Sequence, residues 1–204
     1  MKTNKNILVA SMGRTGNNLL TEMIRHIYPN VQYTHFFDQP KLNWSDIVIS
    51  SKRDFREQMA STKRYLNGLG HGDWSSIIES DGTYKGRKMD IYQECETAFK
   101  NYLDWKSHAV CHMKLEDWFT NPKQYIKDVF NALDVPSEQI TENLINVIET
   151  KFKTPIHPGH ITKSSKLINY NDTLSEHEIS EVNRFFDEQQ KELKDEFLYI
   201  EDYG

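Results

Sequence analysis

The amino-acid sequence predicts an α/β fold, a single domain with a central, mostly parallel sheet flanked by helices. Three observations carry this reading. Short apolar runs of strand length recur at residues 7–10, 31–35, 46–51 and 109–113. Segments with helical spacing follow them, so strands and helices alternate, as in βαβ units. The 204 residues suffice for one sizeable core and are too few for two comfortable domains.

The first element is the stretch ILVASMGRTGNNLL, residues 7–20. Ile7, Leu8, Val9 and Ala10 read as a short buried strand. Gly13 and Gly16 follow, among Arg14, Thr15, Asn17 and Asn18; then Leu19, Leu20, Met23, Ile24 and Ile27 fall at helical spacing. Strand, glycine-bearing loop and helix in that order make an anion site. Loop N–H groups converge there, and the helix N-terminus adds partial positive charge. Arg14 supplies a full charge and donors suited to phosphate or sulfate oxygens. The bland alternative is an ordinary strand-to-helix turn. The standard NTPase loop requires Gly-Lys-Ser/Thr. Here Asn17 and Asn18 follow Gly16, so the expected site holds an anionic nucleotide without a tightly built magnesium site.

The second strand, residues 31–35, ends at His35, and residues 36–40 break it. Ligands of open parallel sheets bind outside the carboxyl ends of the strands. His35 and the first loop are therefore placed to face one cleft; a half-buried histidine packing beside Phe36 is the structural alternative. The third strand, residues 46–51, runs into a helix whose Arg53 and Ser61 stand eight positions apart (61 − 53 = 8), about two turns. A solvated, charged helix explains Arg56, Glu57, Lys63 and Arg64. It does not explain an arginine at the strand exit.

Residues 66–88 carry Gly68, Gly70, Gly72, Gly82 and Gly86, a density that argues for loops. This region, within an insertion at residues 66–108, is an expected acceptor-binding lid, with a mobile surface insertion as the alternative. Residues 90–105 read as a helix with Ile91, Cys95, Ala98, Phe99, Tyr102 and Leu103 on one side. Residues 109–113 are a fourth, buried strand, in which His112 is structural. Asn121 and Pro122 cap and open a helix. A further helix is expected to bury Ile140, Leu144, Val147 and Ile148. Residues 151–170 are irregular and basic. Leu174, Ser175 and Glu178 form a staple and capping box ahead of Ile179, Val182, Phe185 and Phe186.

The stretch Gly13 to Leu20 resembles the 5′-phosphosulfate loop of the sulfotransferases that use 3′-phosphoadenosine 5′-phosphosulfate (PAPS). Their loop runs roughly Pro-Lys/Arg-Ser/Thr-Gly-Thr/Ser-Thr/Asn, ahead of a helix. Arg14 takes the basic position, Thr15 the hydroxyl position, and Gly13 stands in place of proline. Arg53, Asp54 and Ser61 resemble that family's 3′-phosphate motif, with Phe55 in place of its proline. Tyr33, Thr34 and His35 look like the strand-end stretch whose histidine is the catalytic base, here after a shorter gap. Glu22 is the alternative base, since related carbohydrate sulfotransferases use a glutamate in this neighbourhood. The segment 114–117 and the proline-led helix after it look like a further family segment. Residues 158–163 look like a divergent form of the late basic loop that closes over the nucleotide.

The resemblance implies a P-loop-like domain and a PAPS-dependent sulfotransferase with adenosine 3′,5′-bisphosphate as product and no metal required. It implies cofactor binding by Arg14, Thr15, Gly16, Asn17, Asn18, Arg53, Ser61, Gly159 and Lys163. His35 would act as base, and Arg14 would stabilise charge on the leaving oxygen. The acceptor is a hydroxyl or amine on a small molecule or carbohydrate. Two alternatives stay open: a nucleotide kinase or NTPase with an atypical phosphate loop, and a non-catalytic nucleotide-binding protein.

Charge and composition bound the rest. A formal net charge of −5 argues against bulk nucleic-acid binding. Cys95 and Cys111 make no disulfide framework and lack zinc-ligand spacing. Residues 1–6 are polar, and the apolar run behind them is too short for a signal peptide or a membrane span. A cytoplasmic protein with no membrane partner is expected.

Overall fold

The computed structural model describes residues 4–68, 77–78, 84–85, 90–153 and 169–200. The chain runs through β1 (Asn6–Ala10), α1 (Asn17–Ile24), β2 (Asn30–Thr34), α2 (Gln39–Trp44), β3 (Ile47–Lys52) and α3 (Phe55–Gly68). Two short strands, β4 (Ile77–Ile78) and β5 (Tyr84–Lys85), pair antiparallel. Next come α4 (Ile91–Lys106), β6 (Ala109–Lys114), α5 (Leu115–Thr120), α6 (Pro122–Ala132) and α7 (Glu142–Lys153). The helices α8 (Glu176–Gln189) and α9 (Lys194–Phe197) follow.

Four strands form one parallel sheet in the order β2-β1-β3-β6, with helices on both faces, so the predicted α/β class is present. Val9 of β1 pairs with Tyr33 on one side and Ile49 on the other. After β1 the chain moves to one side for β2, then crosses to the other for β3. Such a reversal opens a crevice above the carboxyl ends of β1 and β3.

Strand alternation decides which helices cover which face. Ile7 and Val9 pack with Leu20, Met23 and Ile24 of α1 and with Ile126, Val129 and Phe130 of α6. Leu8 and Ala10 point the other way, onto Val48 and Trp105, with Leu42 of α2 alongside. Both faces of β1 are thus covered, which is why the strand is apolar from Ile7 to Ala10. A third cluster joins α3, α4, α8 and α9 through Phe55, Phe99, Phe185, Phe186 and Phe197. The Phe55 ring meets Phe186 edge-on at 5.2 Å, which anchors the first turn of α3.

Several elements differ from the sequence reading. The helix α1 stops at Ile24, and Ile27 is buried from a turn beyond it, so the apolar spacing outlasts the helix. Residues 36–40 do more than break a strand: Asp38 accepts from the Lys41 N–H at 3.0 Å and Pro40 sits in the first turn of α2. The strand β6 is not buried. Among the described residues it has a strand neighbour on one side only, and Val110 is 58% exposed. Val147 faces outward, and Ile145 joins Ile148 in the core instead. The Ser175–Glu178 capping box is present, and Lys63 of α3 donates to the same Glu178 carboxylate at 2.8 Å. No helix among the described residues is long and apolar enough to cross a membrane.

Candidate anion-binding site

The loop from Ser11 to Gly16 leaves β1 and turns through two left-handed residues, Arg14 at φ 68° and Gly16 at φ 98°. Gly16 is required there. An added Cβ would lie 2.7 Å from Leu115 Cδ1, and the backbone angle disfavours any side chain. Gly13 differs, since a Cβ there meets nothing within 4 Å. As N-cap of α1, Gly16 brings no side-chain oxygen to the first-turn N–H groups. Helix N-termini attract anions through their first-turn N–H groups.

Beneath the loop lies a buried set of hydroxyls and one amide. Thr15 Oγ1 donates to the Met12 carbonyl at 2.8 Å and lies 3.1 Å from Ser51 Oγ. Asn17 Oδ1 accepts from Ser51 Oγ at 3.0 Å, and Asn17 Nδ2 donates to the Ser11 carbonyl at 3.3 Å and lies 3.5 Å from that of Thr34. Ser11 Oγ accepts from the Ser51 N–H at 2.6 Å. The Thr15 and Asn17 side chains are both buried and strap the loop to the ends of the strands. What they can offer an anion is backbone N–H. Asn18 is half-buried in the first turn of α1.

Arg14 reaches across to α3. Its Nε donates to Ser61 Oγ at 3.3 Å, and its guanidinium stacks 4.8 Å from the centre of the Tyr65 ring. Burial is the main force lowering its pKa; Arg53 and Arg64 add repulsion, and Tyr65 opposes. Arg64 is lowered in the same way, first by burial and then by Arg53. No carboxylate among the described residues pairs with Arg14. Gln58 completes this face of α3 by donating to the Gly13 carbonyl at 3.0 Å. Gln58, Ser61 and Tyr65 follow the three-then-four spacing of one helix face. That spacing was the available signal for Tyr65 and Gln58, which the sequence reading missed. Arg64, read there as solvated, is also part of the cluster.

Arg53 is placed differently from the expectation. Its Nη2 donates to Glu57 Oε2 at 3.1 Å and its Nε lies 3.7 Å from Glu116 Oε1. Two carboxylates thus neighbour the arginine that the motif reserved for a 3′-phosphate, while its buried Nε has no hydrogen-bond partner among the described residues, and Ser61 bonds to Arg14. Burial raises the pKa of both Glu57 and Glu116, with Arg53 opposing in each case. Asp54 caps α3, accepting from the Arg56 N–H at 3.0 Å and also from the Ile200 N–H at 2.9 Å. Glu116 accepts from the Asp54 N–H at 3.2 Å and from the Tyr199 hydroxyl.

His35 sits one residue past β2, with Nδ1 2.9 Å from Asn17 Nδ2 and its ring 5.6 Å from that of Tyr33. The structure thus brings His35, Asn17, Arg14 and Ser61 to the carboxyl ends of the strands. Burial chiefly lowers the His35 pKa, Arg14 and Lys41 add to this, and the Ser11 carbonyl opposes. Glu22 is taken up elsewhere, by Arg25 and by Lys151 at 3.7 Å. His112 packs on β6 against Tyr102, with ring centres 5.4 Å apart. Gly159, Lys163 and most of the glycine-rich stretch at 66–88 lie outside the described residues.

No model of a known protein family matches the chain. A comparison with curated proteins also finds no match.

Proposed function

We propose that the protein is a PAPS-dependent sulfotransferase acting on a hydroxyl or amine acceptor. Arg14 carries this reading: a half-buried cation without a carboxylate partner among the described residues, on a glycine-bearing loop at the switch point of a parallel sheet. Arg14 and the loop N–H groups hold the 5′-phosphosulfate, and Ser61 and Arg64 stand beside them for a further phosphate. The acceptor oxygen or nitrogen forms a bond to sulfur as the bond from sulfur to the bridging oxygen breaks. The electron pair leaves on adenosine 3′,5′-bisphosphate, and the acceptor proton passes to solvent water. Positive charge fixed at the loop stabilises the leaving oxygen. The reading goes with a cytoplasmic enzyme, a compartment that keeps free Cys95 and Cys111 reduced.

The lowered basicity of His35 favours a second reading, a nucleotide-binding protein without turnover. Thermal shift assays and turnover separate the two. Adenosine 3′,5′-bisphosphate at about 100 times its dissociation constant adds roughly 2.7 kcal/mol of stability, and ATP with magnesium adds far less. Labelled PAPS then transfers sulfate to one of a panel of hydroxyl and amine acceptors. Equal shifts with both nucleotides overturn the 3′-phosphate assignment; binding without transfer to any acceptor leaves the second reading.

A further inference from the structure

We infer that Asn17 is a positioning residue for His35: it holds the ring with its proton on Nε2, so His35 offers an anion a hydrogen-bond donor and is not the base. The tautomer stands on geometry alone, whereas its use toward a bound anion rests on the function proposed above.

The argument starts from the Asn17 amide. Its Nδ2 lies 3.3 Å from the Ser11 carbonyl oxygen and 3.5 Å from that of Thr34. Carbonyl oxygens only accept, so the nitrogen end of the amide faces them. The oxygen end faces the Ser51 hydroxyl at 3.0 Å, which can donate; the Thr15 hydroxyl, 3.5 Å away, gives its hydrogen to the Met12 carbonyl. Both ends thus fix one orientation. The same Nδ2 lies 2.9 Å from His35 Nδ1. An amide nitrogen has no lone pair to give, so Nδ1 is the acceptor. A neutral imidazole that accepts at Nδ1 carries its hydrogen on Nε2.

A base requires a lone pair aimed at the acceptor, and this tautomer has none at Nε2. A second proton would enter at Nδ1, against the Asn17 N–H. The surroundings act in the same direction: Arg14 of the loop and Lys41 of α2 both disfavour positive charge on the ring. Tyr33 faces the ring from β2. The Ser11 carbonyl opposes them by favouring a ring proton.

Proton–nitrogen correlation NMR on the intact, ligand-free chain reads the tautomer directly. The expected result near neutral pH is the Nε2–H form at His35; the Nδ1–H form overturns the inference whatever the protein binds. Asn17→Asp replaces the donor by an acceptor and is expected to switch His35 to Nδ1–H and raise its pKa; an unchanged tautomer removes Asn17 from the role. If that variant fails to fold, the parent spectrum still decides. His35→Gln keeps an N–H donor and cannot act as a base. It is expected to keep more nucleotide affinity than His35→Ala, which weakens adenosine 3′,5′-bisphosphate binding roughly 10- to 100-fold. A loss of about 10²–10⁴-fold in His35→Gln turnover would restore the base role. Absence of nucleotide binding in the parent would defeat the sulfotransferase reading and leave the tautomer result standing.

Discussion

Arg14 Nε lies 3.3 Å from the Ser61 hydroxyl, across 47 positions of chain. The loop after β1 and the second turn of α3 therefore meet at one point. Ser61, expected to serve a phosphate together with Arg53, also orients the guanidinium that the loop presents.

Arg14→Ala is expected to weaken binding of adenosine 3′,5′-bisphosphate roughly 10- to 100-fold, the usual worth of a hydrogen bond to a charged group. Its melting temperature is expected to hold or rise, because one of three mutually repelling arginines is removed. Calorimetric titration and thermal unfolding measure both. A melting temperature that falls as for a core truncation would make Arg14 a structural brace.

Gly16→Ala and Gly13→Ala are expected to behave differently. The first forces a side chain onto a backbone at φ 98° and against Leu115, at a cost of about 1–3 kcal/mol. The second enters open space and changes stability by less than about 0.5 kcal/mol. Denaturant midpoints of the two variants give the comparison. Equal losses would contradict the account of the loop.

Arg53→Ala is expected to act first on stability. It leaves the carboxylates of Glu57 and Glu116 buried without their cation, at a cost of about 3–5 kcal/mol. Adding Glu57→Gln is expected to recover part of that loss. A phosphate ligand would give the reverse pattern, with nucleotide affinity lost and the melting temperature kept.

Glu94 on α4 supplies a pH dependence. Burial raises its carboxyl to about 7, against an ordinary value of 4.5. Between those values the native chain holds a proton that the unfolded chain has released. This contribution therefore favours the native state at low pH and is lost as pH rises through that window. Glu94→Gln keeps the shape without the charge, so its melting temperature is expected to exceed the parent's near pH 8 and to match it near pH 4. A difference independent of pH would show that the carboxyl is not held neutral by the fold.

The strands and most helices were legible because their signals are local. β1 is continuously apolar, α6 carries its own Asn121–Pro122 start, and α8 carries its capping box. The position of a strand in the sheet is not local. Residues 109–113 read as apolar whether a strand lies on one side or both, and only the pairing order leaves β6 with one neighbour. Side-chain direction in the loop escaped for a related reason. Thr15 and Asn17 suit a ligand or a buried hydroxyl cluster equally well, and Ser51, which decides between them, comes from another strand. The partners of Arg53 were hidden likewise: Glu57 is one turn away, but Glu116 arrives from α5.

Asp54 starts α3, yet one of its oxygens is satisfied by the Ile200 N–H, made 146 residues later. Arg56 reaches the carbonyl of the same residue. A ribosome therefore releases β1, the loop and β3 long before the segment that finishes their junction. Contacts of such separation form last, because the intervening chain must first lose its freedom. The newborn protein can assemble its sheet early while the first turn of α3 stays incompletely tied. The junction of β3 with α3 is then the late event in the maturation of the chain, timed by the arrival of Tyr199 and Ile200.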